Sequence, residues 1–184
     1  AVPVSGITAG ATAVSAGGGM TCAIVAGADK CWGVNWTGQL GNNDSSVSNS
    51  TVPVQVYGMT SGVTSIATGD DHACAVQSGA LYCWGANGSH ELGVDTSPND
   101  YSYSPVQVIA SGVSKVAAGT HHTCAIMSDK TAMCWGANGN GQVGNGATDP
   151  ATRGNNVTTP VAVVGLANVE EMWIGEAASC ARLT

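Results

Sequence analysis

The chain has 184 residues, enough for one sizeable core, and carries a net charge of −7 from five Lys+Arg against twelve Asp+Glu. So few cations cannot displace the counterions of a nucleic acid, and no stretch approaches the ~20 apolar residues of a membrane span or makes a basic amphipathic segment for anionic lipid. Charged residues are 9%, aromatic residues 5%, Phe is absent and Gly numbers 26. With few strong helix formers, an all-β chain of short strands and glycine turns is expected.

Chain order supports this. Ala1-Val2-Pro3-Val4 has neither the charged n-region nor the apolar core of a secretory leader; a mature secreted chain would also lack one. Gly19-Met20-Thr21-Cys22-Ala23-Ile24-Val25 reads as a strand, Ala26-Gly27 as a turn, and the return strand ends in Cys31-Trp32-Gly33. A glycine turn, Gly38-Gln39-Leu40-Gly41, and a polar loop then lead to Pro53-Val54-Gln55-Val56.

The same elements recur twice. The second copy has Asp71-His72-Ala73-Cys74-Ala75-Val76, Cys83-Trp84-Gly85, His90-Glu91-Leu92-Gly93 and Pro105-Val106-Gln107-Val108. The third has His121-His122-Thr123-Cys124-Ala125-Ile126, Cys134-Trp135-Gly136, Gly141-Gln142-Val143-Gly144 and Pro160-Val161-Ala162-Val163. A fourth begins with Ala178-Ser179-Cys180-Ala181. From position 22 to 74, 74 to 124 and 124 to 180 the steps are 52, 50 and 56 residues. Framed on the Pro-Val element, the repeats run over 3–52, 53–104, 105–159 and, incomplete, 160–184. Short β segments at this period imply a propeller or a solenoid.

The cysteines give the sharpest expectation. If Ser78-Gly79 is a two-residue hairpin loop, Gln77 faces Ala80, Val76 faces Leu81, Ala75 faces Tyr82 and Cys74 faces Cys83. Alternation from the closing pair makes Cys74 and Cys83 a non-hydrogen-bonded pair, where side chains come closest and a disulfide can form. Cys22 and Cys31 repeat this around Ala26-Gly27, and Cys124 and Cys134 around the three-residue loop Ser128-Asp129-Lys130. Zinc sites favour closer spacings, and buried free thiols are the other alternative. Three disulfides place the chain in an oxidising setting: extracellular, cell-surface or periplasmic. Cys180 has its partner missing; the register expects one nine or ten residues on, in a longer chain or a neighbouring subunit.

These residues resemble the repeat of the regulator-of-chromosome-condensation family, whose consensus runs Gly-x-x-His-Ser/Thr-x-Ala-Leu, then Val-Tyr-x-Trp-Gly-x-Asn-x-x-Gly-Gln-Leu-Gly. The resemblance spans essentially the whole chain. It implies a β-propeller, usually of about seven four-stranded blades, with residues 1–184 supplying about three and a half. Members include a nuclear exchange factor for a small GTPase, other signalling proteins and secreted bacterial propellers, among them β-lactamase inhibitors. No exchange-factor residues carry over, and the two cysteines of each repeat depart from the consensus. Fold transfers here; function does not.

Candidate sites follow. His72 and His122 stand at the family's His position, with Asp70, Asp71 and His121 nearby, so a metal or catalytic reading competes with a packed, hydrogen-bonded repeat residue; Met20 and Ala178 occupy the same position in the other copies. Trp32, Trp84 and Trp135 recur in register and should fill the space between blades. Trp36, in the loop Val34-Asn35-Trp36-Thr37, is a candidate partner contact. Asn42-Asn43-Asp44 and the segment 95–100 are oxygen-rich without EF-hand spacing. Asn-x-Ser/Thr sequons make Asn35, Asn43, Asn49, Asn87 and Asn156 candidate glycosylation sites. No Gly-x-Ser-x-Gly, phosphate-cradling loop or His-Glu-x-x-His occurs, so no catalytic residue, cofactor or metal is expected.

The expected function is a non-enzymatic extracellular propeller scaffold that binds a protein partner or a glycan through loops 41–53, 93–105 and 144–160. A structural subunit of an extracellular filament, sheath or appendage, completed by a neighbouring subunit, is the alternative reading. A secreted enzyme inhibitor is a more distant one.

Overall fold

Turn chemistry sets the hairpins. Ala26 and Gly27 have φ of 52° and 78°, and Ser78 and Gly79 have 52° and 81°. Two successive left-handed residues make a type I′ turn, whose twist matches that of the strands it joins. In the third hairpin the Met127 amide donates to the Thr131 carbonyl across residues 128–130, with Lys130 at φ 66°.

A computed structural model of the chain describes residues 2–147 and 156–184, which form fourteen strands and, among the described residues, no helix. The first sheet is β1 (Ala11–Ala16), β2 (Met20–Val25), β3 (Ala28–Val34) and β4 (Asn49–Gln55). The second is β5 (Val63–Thr68), β6 (His72–Gln77), β7 (Ala80–Ala86) and β8 (Tyr101–Ile109). The third is β9 (Val113–Ala118), β10 (His122–Met127), β11 (Ala132–Gly136) and β12 (Val157–Ala162). A two-stranded sheet, β13 (Val169–Ile174) and β14 (Ser179–Leu183), completes the set. Each sheet is an antiparallel meander in chain order, the arrangement of a propeller blade. The chain is thus all-β, with three full blades and a half blade.

Sheets and sequence repeats are offset. Each sequence repeat opens on Pro-Val, whereas that element closes a sheet: Val54 pairs with Cys31, Val106 with Cys83 and Val161 with Cys134. A period is the same wherever it starts, so only strand pairing assigns this strand to the preceding hairpin.

The first strands of successive sheets pack side by side, β1 against β5, β5 against β9 and β9 against β13, which places them innermost. Glycine makes this approach possible. A Cβ on Gly17, Gly69 or Gly119 would run into the carbonyl of Gly69, Gly119 or Gly175 in the next blade.

The core lies between blades. Met20, Cys22, Ile24, Cys31, Leu40 and Val56 of the first pack against Val63, Ala73, Ala75 and Trp84 of the second. Disulfides join Cys22 to Cys31, Cys74 to Cys83 and Cys124 to Cys134, with Cα separations of 4.1, 4.0 and 4.1 Å. All six cysteines are at most 1% exposed. Each bridge spans a loop of about ten residues and contributes roughly 2–3 kcal/mol in the chain-entropy account.

Candidate functional site

The Asn of each Trp-Gly-x-Asn element builds the turn that meets the next blade. Asn35, Asn87 and Asn138 accept the amides of Leu40, Leu92 and Val143 through Oδ1. Their Nδ2 atoms donate to the far side of the same loops, at the carbonyls of Val47, Val94 and Ala147. Asn35 is 0% and Asn87 3% exposed, so these two carboxamides are enclosed and committed. Glycosylation at Asn35 and Asn87 is therefore corrected: a glycan on either would break the loop. Asn43 and Asn49 are exposed and Asn156 is half-buried.

The turn then receives an indole. Trp84 Nε1 donates to the Gln39 carbonyl at 2.9 Å, and Trp135 Nε1 to the Glu91 carbonyl at 2.8 Å. Both indoles are fully buried, while Trp32 is half-buried. A Cβ on Gly41 or Gly93 would lie 2.7 Å from Nε1 of Trp84 or Trp135, so the indole seats only on a bare backbone.

A polar relay runs beside it. His72 Nε2 lies 2.8 Å from Thr123 Oγ1, and Thr123 Oγ1 donates to the Glu91 carbonyl at 2.9 Å. The hydroxyl proton is spent on that carbonyl, so His72 must donate from Nε2. The next junction repeats this with His122, Ser179 and the Gln142 carbonyl, at 2.9 Å and 2.9 Å. Burial above all holds His72 down at about 3 and His122 at about 4, aided by charge on neighbouring histidines. For His122 an added proton would sit on Nδ1, which is buried without a partner. Both histidines are thus neutral structural donors, and the relay leaves their imidazoles little freedom for ligation or proton transfer.

At the first junction Met20 replaces the His and Ala73 the hydroxyl residue, so imidazole and hydroxyl disappear together. Repeat-by-repeat reading missed this because the coupled residues belong to different copies. Offsetting the copies by one would have exposed it.

Turn side chains also cross the junctions. Gln39 Nε2 donates to Asp71 at 3.0 Å, and Glu91 lies 3.4 Å from His121 Nδ1. Ion pairs join the relay at the last junction: Lys115 and Lys130 reach across to Glu171 and Glu170, which Arg182 of the same hairpin contacts at 3.0 and 2.9 Å. These pairs are about half exposed, so solvent screens them.

The oxygen-rich loops are turns. Asp44 Oδ1 accepts both the amide and the hydroxyl of Ser46, and Asp95 Oδ1 does the same with Ser97. The Ser hydroxyls, then the amides, hold both carboxyls below the usual range. The loop from Gly144 to Pro160 falls largely within 148–155, outside the described residues.

Asp29 went unnoticed in the sequence. It stands where the other hairpins have Leu81 and Ala132, is 0% exposed, and neither carboxylate oxygen has a hydrogen-bond partner. Burial pushes its pKa up to about 7; the Lys30 main-chain amide pulls the other way. Its carboxylate lies within 4.8 Å of the Cys22 and Cys31 sulfurs, but a closed disulfide offers no thiolate to a metal.

Trp36 is 72% exposed and Trp173 57%. Cys180 is free and exposed on β14, beside a cleft of about 460 Å³ that Val143, Val163, Met172 and Ser179 also line. No helix among the described residues is long and apolar enough to cross a membrane.

The regulator of chromosome condensation (RCC1) repeat profile matches residues 31–76 and 78–126, and a second profile of that repeat matches 63–91 and 113–142. The chain belongs to the RCC1 repeat family. Solved structures share its fold at low identity. Prp20p from Saccharomyces cerevisiae superposes with a TM-score of 0.80 at 19% identity, over 98% of this chain and 45% of that one. Human WBSCR16 gives 0.76 at 19%, over 92% and 46%. The ectodomain of the Physcomitrella patens receptor kinase CR4 gives 0.56 at 20%, over 93% and 38%. This chain therefore spans less than half the length of each.

Proposed function

We propose that residues 1–184 are part of an extracellular RCC1-type propeller that works as a binding scaffold and performs no chemistry of its own. The observation that carries this reading is the set of three buried cross-strand disulfides, one in each full blade. Such bridges persist where thiols are not kept reduced. The fold also serves outside a cell in the CR4 ectodomain, and Prp20p is described with binding properties to Gsp1p and histones. The two histidines most suggestive of catalysis are spent on joining blades. Recognition falls to loops 42–48 and 94–100, which differ between copies while the strands repeat.

Thiol titration of the unfolded, unreduced protein tests the setting: about one reactive sulfur, Cys180, is expected. A count near seven would remove the extracellular reading. Glycine-serine replacement of loops 42–48 and 94–100 tests the surface. Partner capture should be lost with the thermal midpoint held within a few degrees; undiminished capture would move recognition elsewhere.

A further inference from the structure

One loop carries something its sister loops lack. Trp36 occupies the position held by Gly88 and Gly139 in the next two repeats, and a Cβ on either glycine would meet nothing within 4 Å. The site faces open space, so packing does not call for an indole there. Tyr101 and Tyr103 likewise stand where the other copies carry Asn49 and Thr51, or Asn156 and Thr158. The chain has five Trp, four Tyr and no Phe, and Trp36, Tyr101 and Tyr103 join the buried Trp84 at this one junction.

The group is held in place. Tyr103 Oη donates to the Trp36 carbonyl at 2.9 Å, and the Asn43 amide donates to the Tyr103 carbonyl at 2.8 Å. Gly38 packs so closely on the backbone of Ser102 and Tyr103 that a Cβ would clash. Tyr101 and Tyr103 stack edge to face, with centroids 5.5 Å apart at 86°. The loop bearing Trp36 is therefore clamped to the second blade, and its ring is presented to solvent without a large ordering penalty on binding.

We propose that Trp36, Tyr101 and Tyr103 form a platform that binds a neutral oligosaccharide. The axial C–H face of a pyranose stacks on the electron-rich face of an indole or phenol. Its hydroxyls need short neutral donors and acceptors at the edge, and the chain beside the platform supplies the carboxamides of Asn42 and Asn43. Among the described residues an acidic polysaccharide finds no counter-charge there. Lys115, Lys130 and Arg182 are committed to Glu170 and Glu171, and Lys30 lies near the far end of β3. A protein partner is disfavoured by size. Three aromatics bury at most about 150–250 Å² each, below the ~800 Å² per side of a stable protein interface.

The proposal deepens the scaffold reading and rests on it for its setting only, because thiol counting tests that reading separately. Unglycosylated protein from a bacterial host would be titrated calorimetrically with cellohexaose, chitohexaose and maltohexaose. At least one should bind with Kd below about 1 mM, and Trp36→Gly should weaken it about tenfold or more. The double variant Tyr101→Asn/Tyr103→Thr should weaken it as well. These substitutions install the residues of the sister repeats, so the thermal midpoint should hold. No binding by any of the three sugars, binding indifferent to Trp36→Gly, or a Trp36-dependent preference for dextran sulfate would each overturn it. So would loss of a protein partner in Trp36→Gly without any sugar effect.

Discussion

The first and second blade junctions share a frame, and only the second carries a buried polar relay. Both bury an indole against a four-residue turn that ends in glycine, Gly41 or Gly93, and align a disulfide hairpin with the next blade. The second adds His72 and Thr123, whereas the first has Met20 and Ala73. A buried donor or acceptor is tolerated only when its partner is present. The relay therefore behaves as a two-residue module, installed whole or left out.

The largest effect tests what the junctions share. Trp84→Ala and Trp135→Ala should each destabilise by about 3–5 kcal/mol in urea unfolding, with similar values at the two junctions. Half-buried Trp32 should lose clearly less when changed to Ala. A small loss at Trp84 alone would show that the shared frame is not shared energetically.

The next effect isolates the difference. Thr123→Ala strands the His72 N–H and should destabilise by about 1–3 kcal/mol. His72→Met combined with Thr123→Ala recreates the first junction and should recover at least half of that loss. A double-mutant cycle with no coupling would reduce the relay to two independent contacts.

The smallest effect is a pH slope. His72 and His122 titrate near 6.5 when unfolded but at about 3 and about 4 when folded, so the unfolded chain binds more protons in that window. Their contribution is complete above pH 6.5 and is lost as pH falls toward the folded values. Asp29 runs oppositely: its folded value of about 7 exceeds 3.8, so its contribution is complete below 3.8 and is lost as pH rises through 7. Two protons against one leave a net loss of roughly 1 kcal/mol per pH unit on acidification from 6 to 4.5. Solvent near the half blade holds it below the one-proton value of about 1.4. Asp29→Leu should stabilise the protein at neutral pH and steepen this slope; a flat profile in both proteins would contradict the buried neutral histidines.

Legibility followed the range of the interaction. The Cys74–Cys83 register could be read because Ser78-Gly79 fixes it within ten residues. The indole positions could be read because period and composition mark them. Trp36 stood out as off-register, but its tyrosine neighbours lie more than sixty residues away in the next blade. The sequons of Asn35 and Asn87 looked like all the others, since a tripeptide carries no record of burial.

By itself the amino-acid order determined the repeat, its hairpins and the pairing distances of its cysteines, because each depends on turn residues and alternation within one copy. Only tertiary structure decided which strand closes which blade, why imidazole and hydroxyl come and go together, and that Asp29 is sealed from water. Those outcomes depend on what the neighbouring blade places opposite each residue, about fifty positions away in the chain.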